Sequence, residues 1–272
     1  MKSIVILTGS ELRHDFFTCK FDQNPKINVL AMFLEGTEQS LSERINSDPE
    51  STPDQITHAQ KRWLSERTFF ASYVERHPVS SPKFHIEKGQ INSEEIVNKI
   101  VDLKPDILVC YGASIIKSGL INLFKGRFLN VHLGLSPFYR GSGTNVWALI
   151  NEEPQMVGAT FMQIDEGIDT GEIIHQISAR ILPDDDPHDI GNRLIEDMVS
   201  KYEEIVVKFD QLDPQVQPKQ KGKLFQRKDF DSSACRLLYQ KFDGGLIQRF
   251  LENQSDFLSP KLVENKILEE PR

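Results

Sequence analysis

The sequence predicts an α/β fold: a mostly parallel β-sheet flanked by helices, with a small C-terminal extension. Three observations predict it. Short apolar runs rich in β-branched residues recur from Ser3 to Val131. Segments with apolar residues at helical spacing separate them. The runs are continuously apolar, as strands covered on both faces are.

Ser3 to Leu7 is the first such strand, closed by Thr8-Gly9-Ser10 and followed by a helix from Glu11 to Phe21. Ile27 to Leu34 is the second. Residues 36–56 are polar, contain Asn46-Ser47-Asp48-Pro49 and Ser51-Thr52-Pro53, and read as an irregular insert or surface loop. Thr57 to Arg76 reads as a helix whose Trp63, Leu64, Phe69, Phe70, Tyr73 and Val74 form a core-packing stripe. Phe84-His85-Ile86 is a short strand. Asn92 or Ser93 caps the next helix, with Ile96, Val97, Ile100 and Leu103 on one face and Pro105 closing it. Asp106 to Tyr111 is a strongly apolar strand ending at Gly112-Ala113-Ser114, and Phe128 to Val131 follows. Gly158 to Ile164 alternates in β fashion, Glu172 to Leu182 is β-like, and Asp189 to Phe209 is helical. From Asp210 the texture changes. Residues 210–223, rich in Pro, Gln and Lys, read as a linker or extended arm, and helix-like pieces follow near 231–241 and 244–254. The division expected is a catalytic domain over 1–209 and an extension over 210–272.

The 272 residues, 39% hydrophobic and 26% charged, describe a soluble globular chain rather than a disordered one. A net charge of −8 argues against a mainly electrostatic nucleic-acid binder. Three cysteines, Cys19, Cys110 and Cys235, do not make a disulfide framework, and Cys110 reads as a small core residue. The apolar start, Met1 to Leu7, is too short for a signal peptide, and no run is long enough to span a bilayer, so the expected location is cytoplasmic.

The chemistry gathers at one strand end. Asn130 and His132 are two residues apart, so their side chains share a face, and in parallel sheets ligands and catalytic groups collect at the carboxyl ends of strands. Gly112 belongs to the same rim. Taken alone, the pair also fits a hydrogen-bonded structural histidine. The stretch that follows narrows the choice: Pro137-Phe138-Tyr139-Arg140-Gly141, then Gly158-Ala159-Thr160, then Asp165-Glu166-Gly167-Ile168-Asp169-Thr170-Gly171.

With these segments in order, the chain resembles the 10-formyltetrahydrofolate-dependent formyltransferases, among them the amino-sugar, methionyl-tRNA and glycinamide ribonucleotide enzymes, and the related formyltetrahydrofolate deformylase. The resemblance is densest from about Asp106 to Ile190 and implies a Rossmann-like sheet. It implies that Asn130, His132 and Asp169 are catalytic: Asn130 holding the formyl oxygen, His132 stabilising the oxyanion, Asp169 holding His132 in its useful charge state and steering protons. The chemistry agrees. When a formyl group passes between nitrogens, an oxygen turns negative and a proton must travel. The resemblance places the folate's pterin against the backbone of Tyr111, Gly112, Ala113, Ser114, Ile115 and Ile116, and of Ile164, Asp165 and Gly167. Ile115 and Ile116 serve equally as apolar walls or core residues, and Gly112 and Gly167 as room for a ligand or as turn residues. Ser136, Tyr139 and Arg140 are candidates for binding the acceptor, or for bracing their loop.

The chain departs from the common family loop after the histidine. Leu133-Gly134-Leu135-Ser136-Pro137 puts Gly134 where a hydroxyl residue is frequent. No metal site is expected: Asp184-Asp185-Asp186 reads as a loop before a helix starting near Pro187, and His14, His58, His77 and His85 lack ligand spacing. The basic run Lys219, Lys221, Lys223, Arg227 and Lys228 reads as a solvated face. The expected activity is formyl transfer from 10-formyltetrahydrofolate to the primary amine of a small molecule, a nucleotide-linked amino sugar in the first place. Hydrolysis of 10-formyltetrahydrofolate to release formate, a methionyl-tRNA-type acceptor and a non-catalytic folate binder are the alternatives. Neither nucleic acid nor membrane is an expected partner, and a homodimer stays open.

Overall fold

The computed structural model describes residues 1–36, 45, 49, 51–218 and 222–268. The insert expected over 36–56 therefore lies largely outside the described residues, as do Lys219 and Lys221 of the basic run.

Seven strands form the central sheet: β1 (Lys2–Thr8), β2 (Ile27–Glu35), β3 (Lys83–Ile86), β4 (Ile107–Tyr111), β5 (Phe128–His132), β7 (Gly158–Gln163) and β8 (Ile173–Ser178), in the order β3-β2-β1-β4-β5-β7-β8. The first five run parallel, while β7 is antiparallel to both β5 and β8. The chain is a Rossmann-like α/β protein with a mostly parallel sheet. Strand parity sorts two cores. Ile4, Ile6, Met32, Val109 and Val131 face helices α1 (Leu12–Gln23) and the long helix Pro187–Val207 on one side, while Val5, Leu7, Phe33, Leu108 and Phe128 pack with Ile96, Ile100 and Leu120 on the other. With both faces covered, the strands have no polar side to show, hence the unbroken apolar runs. Gly158–Met162 is buried at every position for the same reason: β7 lies inside the sheet, so its expected alternation of surroundings does not occur.

The helix expected over 57–76 begins at Pro53, capped by Thr52, and is interrupted by a π-turn over Arg67–Ala71. Its stripe packs only in part: Phe69, Tyr73 and Val74 lie against the core beside Phe70. Phe70 is fully buried, but Trp63 and Leu64 are 56% and 61% exposed. The inward face of Pro53–Glu66 is instead built from His58, Ala59, Ser65 and Glu66. Glu66 accepts from Arg13 at 2.9 Å, and Ser65 accepts from Asn192 at 2.9 Å. Polar partners thus turn the helix away from its aromatic residues.

Described residues beyond 209 lie against the sheet domain. The segment read as a linker or arm opens with a 3-10 turn over Phe209–Gln211, and Gln215 exchanges main-chain hydrogen bonds with Ile173 at 2.7 and 2.8 Å. β9 (Lys223–Phe225) pairs in parallel with β6 (Tyr139–Gly141), forming a small second sheet. There Phe225 stacks on Trp147, ring centroids 4.7 Å apart and planes 9° from parallel. The helices Ser232–Asp243 and Leu246–Glu252 follow. Among the described residues, no helix is long and apolar enough to cross a membrane.

Candidate active site

β5 ends on His132, whose ring is only 8% exposed. Its Nδ1 faces Asp169 Oδ2 at 3.4 Å, and its Nε2 lies 3.1 Å from the Tyr139 carbonyl. A carbonyl can only accept, so Nε2 carries a hydrogen. Thr144 Oγ1, 3.3 Å from the same nitrogen, donates its own hydrogen to the Leu133 carbonyl and can only accept from the ring. A ring protonated on both nitrogens therefore finds an acceptor at each.

Asp169 is brought there by the β7–β8 loop. It has φ +53°, in the left-handed region that costs a non-glycine residue about 1–2 kcal/mol. Three contacts hold it: its carboxylate faces His132 and accepts from Gly141 N–H at 2.8 Å, and its carbonyl accepts from Gln217 Nε2 at 2.9 Å. Gly167 and Thr170 complete the turn through Asp165, whose Oδ1 accepts from the Gly167 N–H at 3.0 Å and from Thr170 Oγ1 at 2.8 Å. A Cβ on Gly167 would lie 1.9 Å from Thr170 Oγ1, so the turn needs glycine there.

A cleft opens where β4 and β5 end. Asn130 and Asp169 line it together with Ala113, Ser114, Ile115, Ile116, Ile164, Asp165 and Gly167. Ile168, Met162, Gln163, Thr170 and Gly171 line it as well. Asn130's amide has no hydrogen-bond partner among the described residues, and Ser114 Oγ is buried without one. Ile115 and Ile168 are both exposed at this cleft. The wall is braced from behind by Glu35, a buried carboxylate at the end of β2 that accepts from Ser114 N–H at 2.5 Å and Gly89 N–H at 2.9 Å.

Several expected ligand contacts do not reach this cleft. Tyr111 points into the core against His14 and Phe17, its carbonyl accepts from Thr8 Oγ1 at 2.6 Å, and burial pushes its phenol up to about 12. Gly112, with φ +72°, makes room for the His14 ring: a Cβ would sit 2.5 Å from Nε2. Its glycine serves the turn and that packing. Ser136 and Tyr139 are almost wholly buried. Tyr139's hydroxyl is taken up by Glu153 and Asn151, and its contribution to the site is the carbonyl facing His132. Arg140 sits on the small sheet, its Nε buried and unpaired among the described residues. Cys110 is a core residue whose thiol burial raises to about 12. Asp186 caps the helix that begins at Pro187, accepting from His188 and Asp189 N–H, and Asp185 pairs with Arg193. No set of three His, Cys, Asp or Glu side chains among the described residues could hold a metal ion.

Thr144, Glu35 and Gln217 were not anticipated. Gly134 was the available signal for Thr144: a Cβ there would lie 2.5 Å from both His132 Nε2 and Thr144 Oγ1, so the threonine hydroxyl fills the space. Gln217 lies in a stretch without periodicity and carried no signal.

Residues 1–206 match the family described as formyl transferase. The chain belongs to that family. Among its sequence relatives, the methionyl-tRNA formyltransferase of Geobacter metallireducens is 29% identical over 163 residues, 60% of this chain and 49% of that protein. The GDP-perosamine N-formyltransferase of Brucella melitensis is 32% identical over 124 residues, 45% of this chain and 48% of that protein. The chain thus spans about half the length of the curated relatives it matches. A sugar N-formyltransferase structure from a Shewanella species shares the fold, with a TM-score of 0.55 at 18% identity, covering 89% of this chain and 87% of that one.

Proposed function

We propose that this formyl transferase moves a formyl group from 10-formyltetrahydrofolate to the primary amine of a nucleotide-linked amino sugar. The observation that carries the reading is that Asp169, paired with the buried His132, lines one cleft with the unpartnered amide of Asn130. The cleft residues fit a flat heterocycle: Ile115, Ile116 and Ile164 offer apolar walls, and the unpaired Ser114 hydroxyl and the loop backbone offer polar groups to its edge. When bound, the folate supplies the formyl group.

The residues then divide the work. Asn130's amide N–H donates to the formyl oxygen. The incoming amine bonds to the formyl carbon as its bond to the folate nitrogen breaks, and the oxygen turns negative on the way. His132, held between Asp169 and the Tyr139 carbonyl, stabilises that charge. Asp169 takes the proton leaving the amine, directly or through water, and returns it to the departing nitrogen, so charge balances. Support for an amino-sugar acceptor comes from the relatives named for GDP-perosamine and sugar N-formylation, and from the net charge of −8, which opposes docking on a polyanionic tRNA.

The test is an acceptor screen with 10-formyltetrahydrofolate: nucleotide-linked amino sugars against methionyl-tRNA, following tetrahydrofolate release and the mass of the acceptor. Amine-dependent release with a gain of one formyl on the sugar is expected. Formylation of methionyl-tRNA alone overturns the acceptor, and no release with any amine overturns formyl transfer.

A further inference from the structure

We propose that Gln217 is a positioning residue for Asp169, supplied from outside the matched family segment. The inference rests on the formyl-transfer reading above. Gln217 lies past residue 206, where the family match ends. Its side-chain Nε2 donates both its hydrogens, one to the Asp169 carbonyl at 2.9 Å and one to the Gly171 carbonyl at 2.8 Å. The two carbonyls bracket the turn that aims the Asp169 carboxylate at His132 Nδ1.

The turn needs such a clamp. Asp169 holds a left-handed backbone conformation that a non-glycine residue leaves when it can. Its side chain is tied at one end by Gly141 N–H. Its main chain is tied by Gln217, and the register of Gln217 is set by the reciprocal main-chain bonds between Gln215 and Ile173, at 2.8 and 2.7 Å. The segment around Gln215 thus acts as a short antiparallel strap on the start of β8, and Gln217 is its working end. Without the two donors, the Asp169 and Gly171 carbonyls lose their partners and the turn relaxes. The carboxylate then drifts from the imidazole. A displacement of about 1 Å in a catalytic group can cost roughly 100-fold in rate.

The decisive variant is Gln217→Met, which keeps the length and volume of the side chain and removes both donors. Gln217→Glu removes the donors differently and guards against a folding defect peculiar to methionine. The full chain is assayed for amine-dependent tetrahydrofolate release, and the ring ¹⁵N resonances of His132 are recorded on the same samples. The expected result is a kcat lower by about 10- to 100-fold, the KM for the amine changed by less than about threefold, and shifted His132 ring resonances. A kcat within twofold of the parent overturns the proposal. So does a loss of kcat with the His132 resonances unmoved, because that pattern describes damage elsewhere. If the parent itself transfers no formyl group, the functional reading falls, while the ring resonances still decide whether Gln217 positions the pair.

Discussion

A Cβ at position 134 would lie 2.5 Å from His132 Nε2, closer than carbon and nitrogen pack. Gly134 is therefore a condition for the position of the imidazole. Gly134→Ala is expected to push the ring or Thr144 aside and lower kcat by about 100-fold, as misplacement of a catalytic group does. Gly134→Ser adds the hydroxyl frequent in the family and is expected to fare no better, since Thr144 Oγ1 occupies that space. Steady-state kinetics of both variants check this, and a serine variant as active as the parent refutes it.

Asn130 separates catalysis from stability. Its amide has no partner among the described residues, so Asn130→Ala is expected to change stability by under about 0.5 kcal/mol. The same variant loses an oxyanion donor, a cost of about 2.7–4 kcal/mol in barrier, or roughly 100- to 1,000-fold in kcat. Urea unfolding beside kinetics tests the pair of numbers. A strongly destabilised variant means that the amide is structural.

Thr144 relays order from Leu133 to the ring. Thr144→Val keeps the shape and removes the hydroxyl, leaving the half-buried Leu133 carbonyl unpaired. A loss of about 1–3 kcal/mol in unfolding free energy is expected, with Thr144→Ser retaining most of it. Chemical denaturation of the two variants side by side measures the difference.

The buried histidines set the acid limit of stability. His58 and His188 sit 4.7 Å apart, ring to ring, each within hydrogen-bond distance of the Tyr239 hydroxyl. Burial lowers both to about 3, from an ordinary 6.5. In the unfolded chain they take up protons below pH 6.5, and in the folded one only near 3. Between these values the unfolded state binds more protons, so stability falls as pH falls through that window and is unaffected by these groups above it. From pH 6.5 to 5 each contributes a loss of up to about 2 kcal/mol. His58→Gln should flatten the acid limb of a melting-temperature profile relative to pH 7.5; an unchanged slope refutes this.

The sheet was legible because its physics is local. The runs from Ser3 to Leu7 and from Asp106 to Tyr111 are apolar without interruption, and a strand buried on both faces leaves no other pattern. The site was legible where motif and strand end coincide, at Asn130, His132 and Asp169, and where the loops after β4 and β7 form the cleft. It was not legible where the outcome turns on side-chain direction. Tyr111, Ser136 and Tyr139 stand in the right segments but turn inward, and only the packing of Phe17, Thr160 and Asn151 against them decides that. Trp63 and Leu64 face outward because Glu66 and Ser65 claim the inner side for polar partners distant in sequence. Gln217 depends on a register between residues 215 and 173 that no local pattern records.

The ring stack of Trp147 on Phe225 joins the helix Thr144–Ile150 to the segment beyond residue 209. The other indole, Trp63, is exposed to solvent over about half of its surface, with Arg67 over its ring. The chain therefore carries its own optical gauge: emission from Trp63 is a steady, red-shifted background, and a change in the bluer component reports on whether the C-terminal strand is docked, with no label attached.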